Sequence, residues 1–238
     1  MPALLDELEV LGIADHCLFH ISDEPSREHL EGYLAAKALV KKHLRGQKLI
    51  DALSDVAFYD SGAVENPVPA NNHIEPFLER NIPWLWTYYC CGQGVDVSNI
   101  FVAMSGARTR VFGAQLYKYD IVGTLQWGFN FYYGQYSDYI INPWIDTDCD
   151  GFAQAGDGFQ VYPDRGGKPA ASLRLMHIQQ AMQDLRAMQL LESLTDKETV
   201  KALIDEGVEP ITFSKYPQDD AYVLGLREKI NAEIEKRI

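Results

Sequence analysis

The chain has 238 residues, 47% of them hydrophobic and 11% aromatic, enough to bury a sizeable core in one large domain or two small ones. Asp and Glu total 34 against 21 Lys and Arg, a formal net charge of -13; such a surface repels phosphate backbones and anionic headgroups, so neither nucleic acid nor membrane is expected as a partner. No apolar run approaches the roughly 20 residues of a membrane-spanning helix, and the opening MPALLDELEVLGIAD carries acids where a secretory leader carries bases, which makes a cytoplasmic location the default expectation.

In chain order, His16 to Ile21 (HCLFHI) reads as a buried strand, stopped at Ser22-Asp23-Glu24-Pro25 because proline cannot donate to a sheet ladder. A helix is predicted from about Arg27 to Leu44, with Leu30, Tyr33, Leu34, Val40 and Leu44 on one arc and Gly46 as its stop. The basic cluster at its end, Lys41, Lys42, His43 and Arg45, reads as solvated. Lys48 to Leu53 is a second strand. Asp60 to Asn72 reads as a long loop and Ile74 to Arg80 as a short helix. The dense run WLWTYYCC after Pro83 suits a strand covered on both faces. A helix over Ser98 to Tyr119 precedes the strand IVGTLQWGFNFYY, and Gly134 to Gly156 forms a second long loop. GFQVYP is a last short strand. Ser172 caps a helix whose Leu175, Ile178, Met182 and Leu185 share a face, and the final 40 residues look helical, with Val223, Leu226, Ile230, Ile234 and Ile238 at helical spacing. Strand-then-helix order argues for a parallel sheet with helices outside it. About five such units are present where a closed barrel has eight, so the fold reads as an α/β, TIM-like (β/α) barrel, partial here, over residues 1–194, with a helical C-terminal extension over 195–238. An open five-stranded sheet is the alternative.

In parallel α/β folds the chemistry gathers where strands run out at their C-terminal ends. His20, Asp23 and Glu24 follow the first strand; Tyr59 and Asp60 follow the second. Trp86, Tyr88 and Tyr89 belong to the third, with Trp86 and Tyr88 two apart and so on one face. Trp127, Asn130, Tyr132 and Tyr133 belong to the fourth, with Trp144 in the loop beyond. Adjacent carboxylates among aromatic rings suit a neutral sugar, whose C–H faces stack on rings and whose hydroxyls bond carboxylates and amides. Neighbouring carboxylates also raise one another's proton affinity, which helps keep one as an acid. Their adjacency fits poorly with an acid and a nucleophile set 5 Å or more apart, and better with substrate assistance, in which the sugar's own 2-acetamido oxygen attacks the anomeric carbon. An Asp-Glu-Pro triplet is also an ordinary helix start. The packing alternatives are a satisfied core histidine for His20, barrel packing for Trp127 and Asn130, and a loop anchor for Trp144.

The segments FHISDEP, WTYYCCG, LQWGFN, NPW, GDGFQVYP and SLRL, in that order, resemble the C-terminal catalytic region of glycoside hydrolase family 123 and the related domain of unknown function 4091, over about His16 to Leu194. The resemblance implies an exo-β-N-acetylgalactosaminidase or hexosaminidase with a retaining, substrate-assisted mechanism on a TIM-like barrel. Glu24 would be the general acid/base and Asp23 the acetamido-orienting residue, with His20, Tyr59, Trp86, Tyr88, Trp127, Asn130, Tyr132 and Trp144 as substrate contacts. The expected partner is an oligosaccharide or glycoconjugate ending in an acetamido sugar, together with either a missing N-terminal half or a second copy of the chain. Family members are longer, so a non-catalytic sugar-binding remnant and a glycosidase for another sugar stand as alternatives.

No cofactor is expected. Asp146, Asp148 and Asp150 alternate before Gly151 as in a calcium loop, but position 157 holds Asp157 where such a loop needs its Glu, so no metal is expected. Cys17, Cys90, Cys91 and Cys149 form no CxxC pair and read as core thiols.

Overall fold

Short apolar runs in the first 125 residues become neighbouring parallel strands in the computed structural model, which describes residues 1–238. A first helix, α1 (Pro2–Val10), precedes β1 (Leu18–Phe19), which pairs with β2 (Lys48–Leu49). After the single residue Ile50 the run continues as β3 (Asp51–Ala52), which pairs with β4 (Pro67–Val68). Ala70 bridges Tyr88 in the parallel sense, and β5 (Trp86–Tyr88) pairs with β6 (Gly123–Leu125). Every pairing here is parallel and joins runs consecutive in the chain. Parallel neighbours require crossovers, supplied by α2 (Leu30–Lys41), α3 (Ala57–Asp60) and α4 (Glu75–Leu78), and between β5 and β6 by α5 (Gly106–Arg110) and α6 (Phe112–Lys118).

The chain divides into two compact units, Met1–Tyr88 with Val122–Leu125 and Tyr89–Ile121 with Gln126–Ile238. The first buries Leu53, Val68, Ile74 and Phe77 around its strands, and Tyr33 of α2 meets Phe58 of α3 edge to face with ring centroids 5.6 Å apart. The second is built on α7 (Leu173–Leu194), against which α5, α6, α8 (Lys197–Ile204) and α9 (Asp220–Glu235) pack. It also carries the antiparallel hairpin β7 (Val161–Pro163) and β8 (Pro169–Ala171). The structure is a mixed α/β fold of helices and short strands. None of its helices is long and apolar enough to cross a membrane.

Several elements differ from the sequence expectation, each for a local reason. The stretch Asp60 to Asn72 holds a strand, β4, with Pro67 at its first position, where proline's missing N–H is tolerated. Residues 98–105 do not join a helix. Asn99, fully buried, donates to the carbonyls of Cys90 and Gln93 and accepts from the amide of Ile100, so side-chain bonding replaces the helical ladder there. The WLWTYYCC strand contracts to Trp86–Tyr88 because Trp84 sits at φ +63, outside the β region. The run beyond Leu125 leaves the parallel ladder and turns to the 158–160 segment: Phe131 N–H donates to Gly158 O at 3.0 Å and Gln160 N–H to Phe129 O at 2.8 Å.

Ser172 caps α7 as read, its hydroxyl accepting from Leu175 N–H at 3.2 Å. Ala181, Ala187, Met188 and Leu191 are the residues α7 buries fully, while Leu175, Ile178, Met182 and Leu185 are half-buried. On α9, Val223, Leu226, Ile230 and Ile234 are buried as the spacing predicts, and Ile238 lies exposed beyond the helix end.

Candidate active site

In the first unit the Asp23–Glu24 pair rides on an irregular segment rather than on a strand end, because β1 already stops at Phe19. That segment is held from beneath by β3. The Asp51 carboxylate, 1% exposed, accepts from the amides of Ile21 at 2.7 Å and Ser22 at 3.1 Å on one oxygen, and from the Tyr33 hydroxyl at 2.6 Å on the other. The next residue, Ala52, accepts from the amide of Glu24 at 2.9 Å. Glu24 sits at φ +43 directly before the buried Pro25, a left-handed backbone that non-glycine residues rarely adopt and that is maintained by its surroundings. This turn releases the neighbouring carboxylates from the opposite-face rule of a regular strand. Both side chains are exposed, and the Tyr88 hydroxyl from β5 donates to Glu24 Oε1. Burial beside Asp51 pushes the Tyr33 hydroxyl well above the usual phenol range, so it remains a donor.

The structure thus brings Tyr88 to Glu24, the chain neighbour of Asp23. Trp86, two residues before Tyr88, lies over Gly123 of β6, where any Cβ would overlap the indole, and tilts against Trp84 with ring centroids 5.2 Å apart. Its indole N–H is buried without a hydrogen-bond partner. Lys48 Nζ caps the Trp84 ring at 3.9 Å. Tyr59 is half-buried on α3, and the neighbouring Asp60 is held by Arg80 at 2.8 Å. His20 is exposed.

In the second unit the remaining candidates fall into two aromatic clusters. Trp127, half-buried, packs against Phe131 and Phe152 at 5.5 and 5.7 Å between centroids. Its indole N–H donates to Asp157 Oδ2 at 3.1 Å. Tyr132, Phe159, Tyr162 and Trp144 form a continuous row with centroid spacings of 5.9, 5.2 and 4.7 Å. Tyr132 donates to Val161 O and Trp144 to Pro163 O, so the polar edges of both rings are committed to backbone. Trp144 anchors its loop to the hairpin while its side chain stays exposed. Asn130 is exposed and its backbone bridges Phe159. The carboxylates of the 146–150 loop turn onto their own backbone: Asp146 Oδ1 accepts from the amides of Asp148 and Asp150, and Asp148 Oδ1 from that of Gly151.

Two buried acids to which the sequence reading assigns no role in a site shape these arrangements. Asp51 is one. The other, Asp157, is 0% exposed; burial pushes its carboxyl up to about 6, against the opposing pull of the Trp127 N–H and the Arg174 charge. Its Oδ1 has no hydrogen-bond partner. Arg174, from the first turn of α7, donates to the carbonyls of Gly156 and Phe159 and to the Tyr162 hydroxyl, which fixes the loop carrying Asp157. A lone acid inside an apolar run, as in LIDAL, is the signal that could have found Asp51, because acids are almost never fully buried unless paired.

The sequence matches the profile of the glycoside hydrolase 123 catalytic domain over residues 1–191. The chain belongs to glycoside hydrolase family 123. No curated protein sequence matches it. Its structure is similar to that of a family 123 glycoside hydrolase from Clostridium perfringens, described as a structural analysis of glycolipid glycan hydrolysis, with a TM-score of 0.66 and 16% identity. The alignment covers 99% of this chain and 43% of that one, so this family 123 chain spans less than half the length of its structural neighbour.

Proposed function

We propose that this family 123 chain is an exo-acting β-N-acetylhexosaminidase, with N-acetylgalactosamine as the favoured terminal sugar and a retaining, substrate-assisted mechanism. The observation that carries the reading is the adjacent Asp23–Glu24 pair, presented on a braced left-handed turn with the Tyr88 hydroxyl on Glu24 Oε1. Tyr88 fixes the rotation of that carboxyl and leaves Oε2 for the proton. In the first step the 2-acetamido oxygen bonds to the anomeric carbon as the glycosidic bond breaks, and Glu24 gives its proton to the departing oxygen. Asp23 accepts from the acetamide N–H and so stabilises the oxazolinium. In the second step Glu24 takes a proton from water, whose oxygen bonds to the anomeric carbon and reopens the ring with the original configuration.

The substrate in this reading is an oligosaccharide or glycoconjugate with a terminal acetamido sugar; the structural neighbour is described in terms of glycolipid glycan hydrolysis. Chain-order parallel pairing from β1 to β6 supports a partial TIM-like (β/α) wall as the scaffold, and His20 just past β1, Tyr59 on α3 and Trp86 at the start of β5 are proposed as further sugar contacts. Trp127, half-buried, and Asn130, exposed, are proposed sugar contacts on the second unit. Tyr132 and Trp144 would contribute through their ring faces alone, their polar edges being engaged.

Hydrolysis of 4-nitrophenyl N-acetyl-β-D-galactosaminide by the purified chain tests the reading, with Glu24→Gln as the control. Turnover is expected to fall by a factor on the order of 10²–10⁴ in Glu24→Gln, and a thiazoline mimic of the oxazolinium should inhibit the wild type strongly. A folded protein that leaves this substrate and a panel of other glycosides untouched would sink the enzyme reading. Hydrolysis insensitive to the thiazoline would move the assignment to another sugar.

A further inference from the structure

The geometry points to Asp51 as a positioning residue for the acid/base carboxyl, an inference that rests on the reading of Glu24 as the proton donor. The pair itself has no regular secondary structure under it: β1 ends at Phe19, and Glu24 holds a left-handed backbone immediately before Pro25. Relaxation of that segment is opposed chiefly from β3. Asp51 Oδ1 holds the amides of Ile21 and Ser22 at 2.7 and 3.1 Å, and the adjacent Ala52 carbonyl holds the amide of Glu24 at 2.9 Å. Tyr33, buried on α2, locks the second oxygen of Asp51 at 2.6 Å and so fixes the carboxylate's own rotation. A cavity of about 380 Å³ lined by Ile21, Ser22, Glu28, His29, Gly32 and Tyr33 lies against the braced segment. It leaves the segment room to move if the brace is removed. Asp51 makes no contact with the exposed pair and acts only through the backbone that carries it.

A brace of this kind has a signature that a merely structural residue lacks. Proton donation matters for a leaving group that cannot depart as an anion and hardly at all for one that can. Displacing the acid by about an ångström should therefore slow the first class on the order of 10- to 100-fold and spare the second.

The experiment compares Asp51→Asn with wild type on two substrates, a β-linked disaccharide ending in N-acetylgalactosamine and the 2,4-dinitrophenyl glycoside of the same sugar. Asparagine replaces the carboxylate by a single neutral and weaker acceptor, and the Tyr33 hydroxyl must turn to accept from its amide group, so the hold on the Ile21 and Ser22 amides loosens while the fold is expected to persist. The expected result is a drop in kcat/KM on the order of 10- to 100-fold on the disaccharide and of less than about 3-fold on the dinitrophenyl glycoside. Equal losses on both substrates, or no loss on either in a folded variant, would overturn the inference. Should wild type cleave neither substrate, the glycosidase reading itself has failed, and the inference that rests on it falls with it.

Discussion

Each of the two units buries one carboxylate completely, and the two are treated in opposite ways. Asp51 in the first unit receives three hydrogen bonds, two from backbone amides and one from Tyr33. Asp157 in the second receives one, from Trp127, and keeps its other oxygen unpaired. Burial without enough donors disfavours the charged form, and the Asp157 carboxyl accordingly rises to about 6. The difference shows that depth alone says little about a buried acid. The number of donors decides whether it serves as a brace or stores a pH-dependent cost.

The largest expected effect comes from removing the better-satisfied group. Asp51→Ala leaves the Ile21 and Ser22 amides and the Tyr33 hydroxyl without their shared acceptor. An unsatisfied buried polar group costs roughly 1–3 kcal/mol, and water can reach the half-buried Ile21 and Ser22, so a loss of about 4 kcal/mol is expected in urea denaturation. A loss below about 1 kcal/mol would show that the segment is held by other contacts, and the contrast with Asp157 would collapse.

Asp157→Asn should act more weakly and in a way set by pH. The folded carboxyl titrates at about 6 against an ordinary 3.8, so the folded state binds its proton more tightly than the unfolded one. The associated stability is fully present below about pH 4 and is lost as pH rises through about 6, a swing of roughly 3 kcal/mol. Asparagine keeps an acceptor for Trp127 and cannot ionise. Subtracting the variant's stability from that of wild type should therefore give a curve that falls between pH 4 and 6.5 and is flat above 7. Parallel curves across that window would mean that the buried acid finds donors after all.

The same contrast explains how much was legible beforehand. The parallel strands and crossover helices follow from apolar runs and helical spacing, and the six ordered motifs pointed to the family that the profile match then established. Asp23 and Glu24 stood out because they are adjacent and precede a proline. Asp51 and Asp157 did not, since the worth of a buried acid depends on donors 18 to 30 residues away in sequence for Asp51 and 30 for Asp157. The strands are shorter than the apolar runs for a related reason. Trp84 at φ +63 and the Asn99 side-chain bonds interrupt patterns that hydrophobicity alone would continue.

The smallest expected effect is the sharpest comparison, because it removes a single donor from each acid. Tyr33→Phe keeps the ring that meets Phe58 edge to face and leaves Asp51 its two amide donors. One hydrogen bond to a charged group is worth roughly 1.5–3 kcal/mol when lost outright. The two remaining donors reduce the expected loss to about 1 kcal/mol, with the Ile21 and Ser22 amide resonances near their wild-type positions. Trp127→Phe takes the one donor Asp157 has and leaves the field of Arg174 as its remaining support. That should push the Asp157 carboxyl further above 6 and move the falling limb of the stability curve to higher pH. A shift of that limb in Trp127→Phe beside a pH-independent loss in Tyr33→Phe would establish donor number as the variable that separates the two acids. The same displacement of both curves would show that local packing, and not hydrogen bonding, separates them.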